Sequence, residues 1–416
     1  MNADVRTMKT PAEQALSAAY TSARSRLPGK GAVASLREDA FKRFEERGLP
    51  HRRVEEWKYT DLRALMRDMA PLAGAPDAAA RAKAKEAGKI LAGVEMRRIV
   101  FVDGAFAPEL SDLTPEPGLT IGSLADALAK GGVPALGTAF LTDDVAAHAR
   151  IRRPIHLVFA GTGNSSAFVR SLVTIGEGAE VTLIEDHDSG EAQVNAALEL
   201  IVGDHARVEY FKLTQAKGLH VASLLARIGA DAHFNSFAYT AGSPLVRNQS
   251  FIRFDGERTH AGIRGVNLLR GKDHVDTTLL IVHAKGHCVS REQFKTVLDG
   301  ESHGVFQGKI VVAQHAQKTD AKMMTRALLL SEDAEADNKP ELEIFADDVV
   351  CGHGATAGAL DPGLKFYLMS RGISDAEAEA LLIQAFIGET VEEIAHEGIR
   401  EALMNAAIHW LRARAA

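Results

Sequence analysis

Thiols are scarce in this chain. Its 416 residues hold two cysteines, Cys288 and Cys351. Two thiols exclude a disulfide framework, and they exclude a self-contained zinc or iron–sulfur site built on four thiolates. Any metal chemistry must use few thiols or borrow ligands from another chain. No apolar run approaches the ~18–20 residues that a membrane helix needs, so no membrane partner is expected. Residues 1–30 carry charges and no apolar stretch of signal-peptide type, which makes a cytoplasmic protein the expectation. A formal charge of −7 offers no footprint for nucleic acid. A P-loop is also missing. The Gly-Lys pairs at 29–30, 88–89, 271–272 and 308–309 are never followed by Ser or Thr.

What the chain does contain is a change of texture along its length. The first ~95 residues read as helices. Thr10-Pro11-Ala12-Glu13 and Ser35-Leu36-Arg37-Glu38 have the form of capping boxes. Ile99–Val102 and Ala105–Phe106 flank Asp103-Gly104, a two-residue hairpin signal. From Ile151 the runs become short, alternating and punctuated by Gly and Asp. A repeat lies within them. Ile175-Gly176-Glu177-Gly178-Ala179-Glu180-Val181 matches Val202-Gly203-Asp204-His205-Ala206-Arg207-Val208, and both match Ile228-Gly229-Ala230-Asp231-Ala232-His233-Phe234. Phe254-Asp255-Gly256-Glu257 extends the series, with weaker echoes at 298–301 and 330–333. A helix-poor repeat of this length suits one coil of a β-solenoid, in which strands pair coil on coil. The last residues return to helices. Ser374-Asp375-Ala376-Glu377 caps one helix, Gly388 is read as its break, and Thr390-Val391-Glu392-Glu393 is read as capping the next. The expected division is 1–95 helical, 96–150 a connection with a β-hairpin, 151–360 solenoid and 361–416 helical. A solenoid has two open ends that need caps or partners, so a homodimer of the isolated chain is expected.

Several candidate chemistries fall to their bland readings. Gly161-Thr162-Gly163-Asn164-Ser165-Ser166 lacks the third glycine of a dinucleotide fingerprint. Gly300-Glu301-Ser302-His303-Gly304 fits a nucleophile elbow, but a strand follows where a helix is required. His396-Glu397 has no second His at zincin spacing. His283, His287 and Cys288 have a spacing open to metal binding, and a structural role is the preferred reading. Asp347-Asp348-Val349-Val350-Cys351-Gly352-His353-Gly354-Ala355 is the most informative stretch. If it is extended, Cys351 and His353 share a face, ~7 Å apart along the chain. Thiolate plus imidazole suits zinc, iron or copper, but two ligands are half a site.

At these residues the chain resembles the SufB/SufD family of the SUF iron–sulfur cluster assembly system. The likeness is carried by 341–356, and its Asp-Asp-x-x-Cys-x-His-Gly-Ala-Thr form is nearer the SufD branch. It is carried too by GVFQGKIVVAQHAQKTD at 304–320, LLLSEDAEADNKP at 328–340, FYLMSRGI at 366–373 and RVEEWKYT at 53–60. The resemblance implies a mainly β fold with a right-handed parallel β-helix core between helical termini. It implies a non-catalytic scaffold subunit, paired with a SufB-like paralogue as a heterodimer. Read from the residues, the apolar face Val391, Ile394, Ala395, Ile399, Leu403, Ala406 and Trp410 docks on the β-block or is presented to another protein, and the resemblance supplies a SufC-like ABC-type ATPase docking on the C-terminal helices as its partner. Cys351 and His353 would contribute ligands to a transient iron–sulfur cluster at the SufB–SufD interface. No cluster is expected to stay on the isolated chain, and a reduced flavin in the complex is left open. Family members often carry Lys-Cys-Ser-His where this chain has Val350-Cys351-Gly352-His353, so a cation favouring thiolate is absent here. The rival reading is a β-solenoid carbohydrate-active enzyme.

Overall fold

The computed structural model describes residues 8–129, 143–147 and 151–415. Part of the expected connection, and the seven N-terminal residues, lie outside the described residues.

The N-terminal part holds α1 (Pro11–Ala23), α2 (Ala32–Arg47), α3 (Leu62–Leu65) and α4 (Ala78–Ala84). The strands begin with β1 (Arg97–Val102), β2 (Ala105–Phe106) and β3 (Leu119–Ser123), then α5 (Leu124–Ala129), β4 (Asp143–Ala147) and β5 (Ile155–Ala160). Next come β6 (Ser166–Ile175), β7 (Glu180–Gly190), β8 (Gln193–Val202), β9 (Arg207–Ala216), β10 (Leu219–Ile228), β11 (His233–Ala241) and β12 (Leu245–Phe254). The series closes with β13 (His260–Leu269), β14 (His274–His283), β15 (Val289–Leu298), β16 (His303–Val312), β17 (Asp320–Leu329), β18 (Glu335–Ile344) and β19 (Val350–Gly358). Three helices follow: α6 (Pro362–Ser370), α7 (Asp375–Val391) and α8 (Glu397–Ala415).

Odd strands from β5 to β19 stack in one sheet and even strands from β4 to β18 in the other, all parallel. This is the expected parallel β-solenoid, of about seven turns. Register pairs Ile155 with Leu183, Ser166 with Gln193, Leu219 with Leu245, His274 with His303 and His303 with Glu335, so a coil takes 26 to 28 residues early and 29 to 32 late.

The repeat has a physical cause at one corner. Gly178, His205, Asp231, Arg258, His287 and Lys318 all have φ between 54° and 66°. After each comes a small buried residue: Ala179, Ala206, Ala232, Thr259, Cys288 and Thr319. The leading glycines lie coil on coil. A Cβ on Gly256 would sit 1.9 Å from the Ala230 nitrogen, so side chains are excluded there. Asp299-Gly300 and Ser331-Glu332-Asp333 lie at the opposite corner, between β15 and β16 and between β17 and β18. They are not continuations of the series.

Inside, Val208 and Phe234 belong to a continuous core that fills the solenoid. Phe211, Leu213, Phe237 and Val266 point outward from the odd sheet and are buried by the C-terminal helices. That sheet is covered on both faces, which explains its near-continuous apolar runs.

The caps at Thr10 and Ser374 form as expected, each with its reciprocal Glu. The hairpin forms across Asp103-Gly104, and β1 also pairs in parallel with β5, so it joins the solenoid sheet. Three helix boundaries differ from expectation. Ser35 lies inside α2, whose N-cap is Gly31. α7 runs through Gly388 to Val391, and Gly388 is buried within the helix rather than ending it. Thr390 is therefore buried in a helix end and opens none. Of the two readings open for the 391–410 face, docking on the β-block is the one that forms, and the ATPase partner assigned to that face is corrected. Val391, Ile394, Ile399, Leu403 and Trp410 are buried against this chain's own odd sheet, while Ala395 is exposed and Ala406 half-buried. A buried Lys295 on β15 anchors α7, donating to the Phe386 carbonyl and pairing with Glu389 at 2.5 Å.

The 53–60 segment clamps the N-terminal part to the even sheet. Arg247 and Asp276 form a fully buried ion pair on its outer face. The Trp57 ring covers the Arg247 guanidinium at 3.9 Å, the Glu56 carbonyl accepts from it at 2.7 Å, and the Thr60 hydroxyl donates to Asp276 at 2.5 Å. Burying that pair is tolerable because its remaining polar atoms are met.

Candidate functional site

The two ends of the solenoid are built differently. At the start, antiparallel partners finish both sheets: β2 on β1 and β3 on β4. At the finish, β18 and β19 are the last strands of their sheets and have no further partner among the described residues. The two bare strands also differ. β18 carries Glu335, Asp337, Lys339, Glu341 and Glu343 plus Pro340, the devices by which edges resist stray pairing. β19 reads Val-Cys-Gly-His-Gly-Ala-Thr-Ala-Gly and has no charged residue.

Cys351 and His353 lie on β19. Register sets Cys351 beside Ala321 and His353 beside Met323. Ala321 and Met323 are buried and face the solenoid interior. Both candidate residues therefore share the inward face, as alternation predicts. Cys351 is half-buried and packs on the core, and His353 is exposed at the mouth. Burial pushes the Cys351 thiol up from its ordinary value, and the carboxylates of Asp320 and Glu292 push the same way. The thiol is thus held protonated until a cation arrives to stabilise thiolate. The turn before β19 is fixed to the coil beneath: Lys318 pairs with Asp348, and the Asp348 N–H donates to Gln317 at 2.8 Å. A Cβ on Gly352 would meet nothing within 4 Å, whereas one on Gly354 would strike Met324.

Among the described residues, no three His, Cys, Asp or Glu side chains gather as a metal-binding group. Cys351 and His353 are a partial set. His283, His287 and Cys288 do not converge. His283 is buried inside and shares a hydrogen bond of 3.0 Å with Ser290. His287 is an exposed corner residue. Cys288 fills its corner and donates to the Gly256 carbonyl at 3.3 Å. Ser302 is buried in a turn, and His396 accepts from the Ile399 N–H at the start of α8. Neither is set for catalysis.

Two features escaped the sequence reading. α6 exposes Leu364, Phe366, Tyr367 and Met369, with Phe366 72% accessible. Its short amphipathic pattern gives no sign of which face stays bare. The other is Glu292, a carboxyl turned into the core behind the site. Its neighbours Arg291 and Gln293 are polar, so the stretch reads as surface.

Comparison with known proteins gives the family. The profile described as SUF system FeS cluster assembly, SufBD core domain, matches residues 158–386, and the SufBD protein N-terminal region matches 11–131. The chain is 32% identical to the iron–sulfur cluster assembly protein SufD of Escherichia coli, over 86% of this chain and 88% of that protein. It is 31% identical to a SufBD family protein of Synechocystis, over 83% and 84%. SufD of Bacillus subtilis is 30% identical over 65% and 63%.

Proposed function

This chain belongs to the SufBD family of the SUF iron–sulfur cluster assembly system, and from that premise we propose that it is a scaffold subunit lending Cys351 and His353 to a nascent cluster. One observation carries the reading. The uncharged strand that presents these two side chains is also an unpaired edge. A sister subunit of the same fold, a SufB-like paralogue, would extend the sheets across that edge and supply the remaining ligands. The charges on β18 would select that partner over others. Iron and sulfide are the cargo here, and a cross-subunit site with few ligands suits handover better than storage.

The ATPase partner finds a surface in α6. Leu364, Phe366, Tyr367 and Met369 form an apolar patch that this chain leaves bare. A groove of about 390 Å³, lined by Arg326, Thr356, Leu360, Phe386 and Glu389, separates these helices from the outer face of β17 and β19. A pull on α6 would reach β19 directly, and this is the route by which ATP-driven pairing of two ATPase subunits would open the cluster edge. No helix of the described residues is long and apolar enough to cross a membrane.

The test is the His353→Ala substitution in a chain co-expressed with its SufB-like and ATPase partners. Iron and sulfide on the purified complex are expected to fall several-fold while the complex still assembles. Undiminished iron and sulfide would discard the site.

A further inference from the structure

The interior behind β19 is not uniformly apolar. Register runs from Cys351 through Ala321 to Ser290, and from His353 through Met323 to Glu292. Glu292 is thus on the inward face two rungs behind His353, ~9.6 Å away at the usual strand spacing. Its residue is 2% exposed, and neither carboxyl oxygen has a hydrogen-bond partner in good geometry. The neighbouring Ser290 hydroxyl offsets the burial only in part. That hydroxyl is already shared with His283, whose Nδ1 is buried and without a partner. A buried carboxyl so poorly partnered costs stability, and the Ser290 hydroxyl is all that another side chain offers it by way of a hydrogen bond.

We propose that Glu292 is the inner counter-charge of the edge site, a carboxylate that favours a divalent cation held by Cys351 and His353. The inference rests on reading those two residues as the cation-holding pair. Glu292 touches no cation; it is a positioning residue that acts across the Met323 thioether, through a buried interior that screens charge poorly. The other charged or titratable groups around it are His283 on β14, Arg291 on its own strand, Asp320 on β17, and Cys351 and His353 on β19. Of these, Arg291 is drawn outward to Asp320 at 2.6 Å, and as a charge on the far side of the strand it offsets the burial of the carboxylate only in part. Burial holds the Glu292 carboxyl up at about 7, which leaves it partly protonated in the empty chain near neutrality and ready to ionise fully when a cation comes. The proton it gives up leaves with the one displaced from the Cys351 thiol, and no oxidant or reductant is needed.

The experiment titrates Co²⁺ into the full-length chain, into the millimolar range, at pH 6 and pH 8. Cobalt–thiolate absorption reports occupancy, and calorimetry in two buffers counts protons released. Glu292→Gln is expected to weaken binding about tenfold at pH 8 but no more than about threefold at pH 6, where the wild-type carboxyl is itself protonated. It also releases fewer protons near pH 7, and Glu292→Asp recovers part of both. A Glu292→Gln chain that binds like wild type, or one weakened equally at both pH values, overturns the proposal. In either case, loss of binding in His353→Ala leaves the ligand reading standing. A wild-type chain that takes no Co²⁺ removes the reading and the proposal together.

Discussion

The solenoid begins closed and ends open. At its start, Phe101 of β1 packs on Phe159 at 4.7 Å and on Phe106 of the capping strand at 5.7 Å, and every strand there has a neighbour. At its finish, the last coil exposes Val350, Ile344 and Phe345 and, among the described residues, leaves two strand edges bare. Both ends face the same problem of unpaired backbone. One is finished by short antiparallel strands, and the other ends on two long parallel strands with no further partner among the described residues. On the proposed role, stability and function are divided between the two ends, and that division can be broken from either side.

The largest effect is expected at the closed end. Phe101→Ala empties a site that is 2% exposed and should cost about 3–5 kcal/mol, read as a lower denaturation midpoint. The folded fraction should still bind its partner normally. Ala355→Glu should do the reverse. Ala355 is exposed on the uncharged edge, so the fold should keep its midpoint while affinity for the SufB-like partner drops roughly a hundredfold, about 2.7 kcal/mol. If both substitutions act on both properties, the division is wrong. Val350→Lys is subtler. It places a cation beside Cys351 and opposite Asp320, and should speed alkylation of Cys351 several-fold without altering the midpoint. Cys288 is sealed, so the label reports Cys351 alone.

How far the sequence could be read follows from the same contrast. The repeat at Gly176, Gly203 and Gly229 was legible because each early corner needs the same left-handed residue and the same buried small one. It faded after Gly256, where corners such as 313–319 gain residues and the period slips toward 32. The shared face of Cys351 and His353 was legible because strands alternate without exception over three residues. The fate of the C-terminal helices was not. An apolar helix face looks the same whether it will lie on a sheet, as Leu403 and Trp410 do, or on another protein, as Phe366 and Tyr367 are free to do. Glu292 was hidden for a related reason, since polar letters in a strand signal its outer face until register turns one inward.

Amide hydrogen exchange of β19, with and without the SufB-like partner, tests the account most directly. Its outward N–H groups now meet solvent, so the account predicts fast exchange for the free chain and slowing of at least a hundredfold on complex formation, with β2 and β3 unchanged. Exchange in β19 that is indifferent to the partner, while the partner is demonstrably bound, would contradict it.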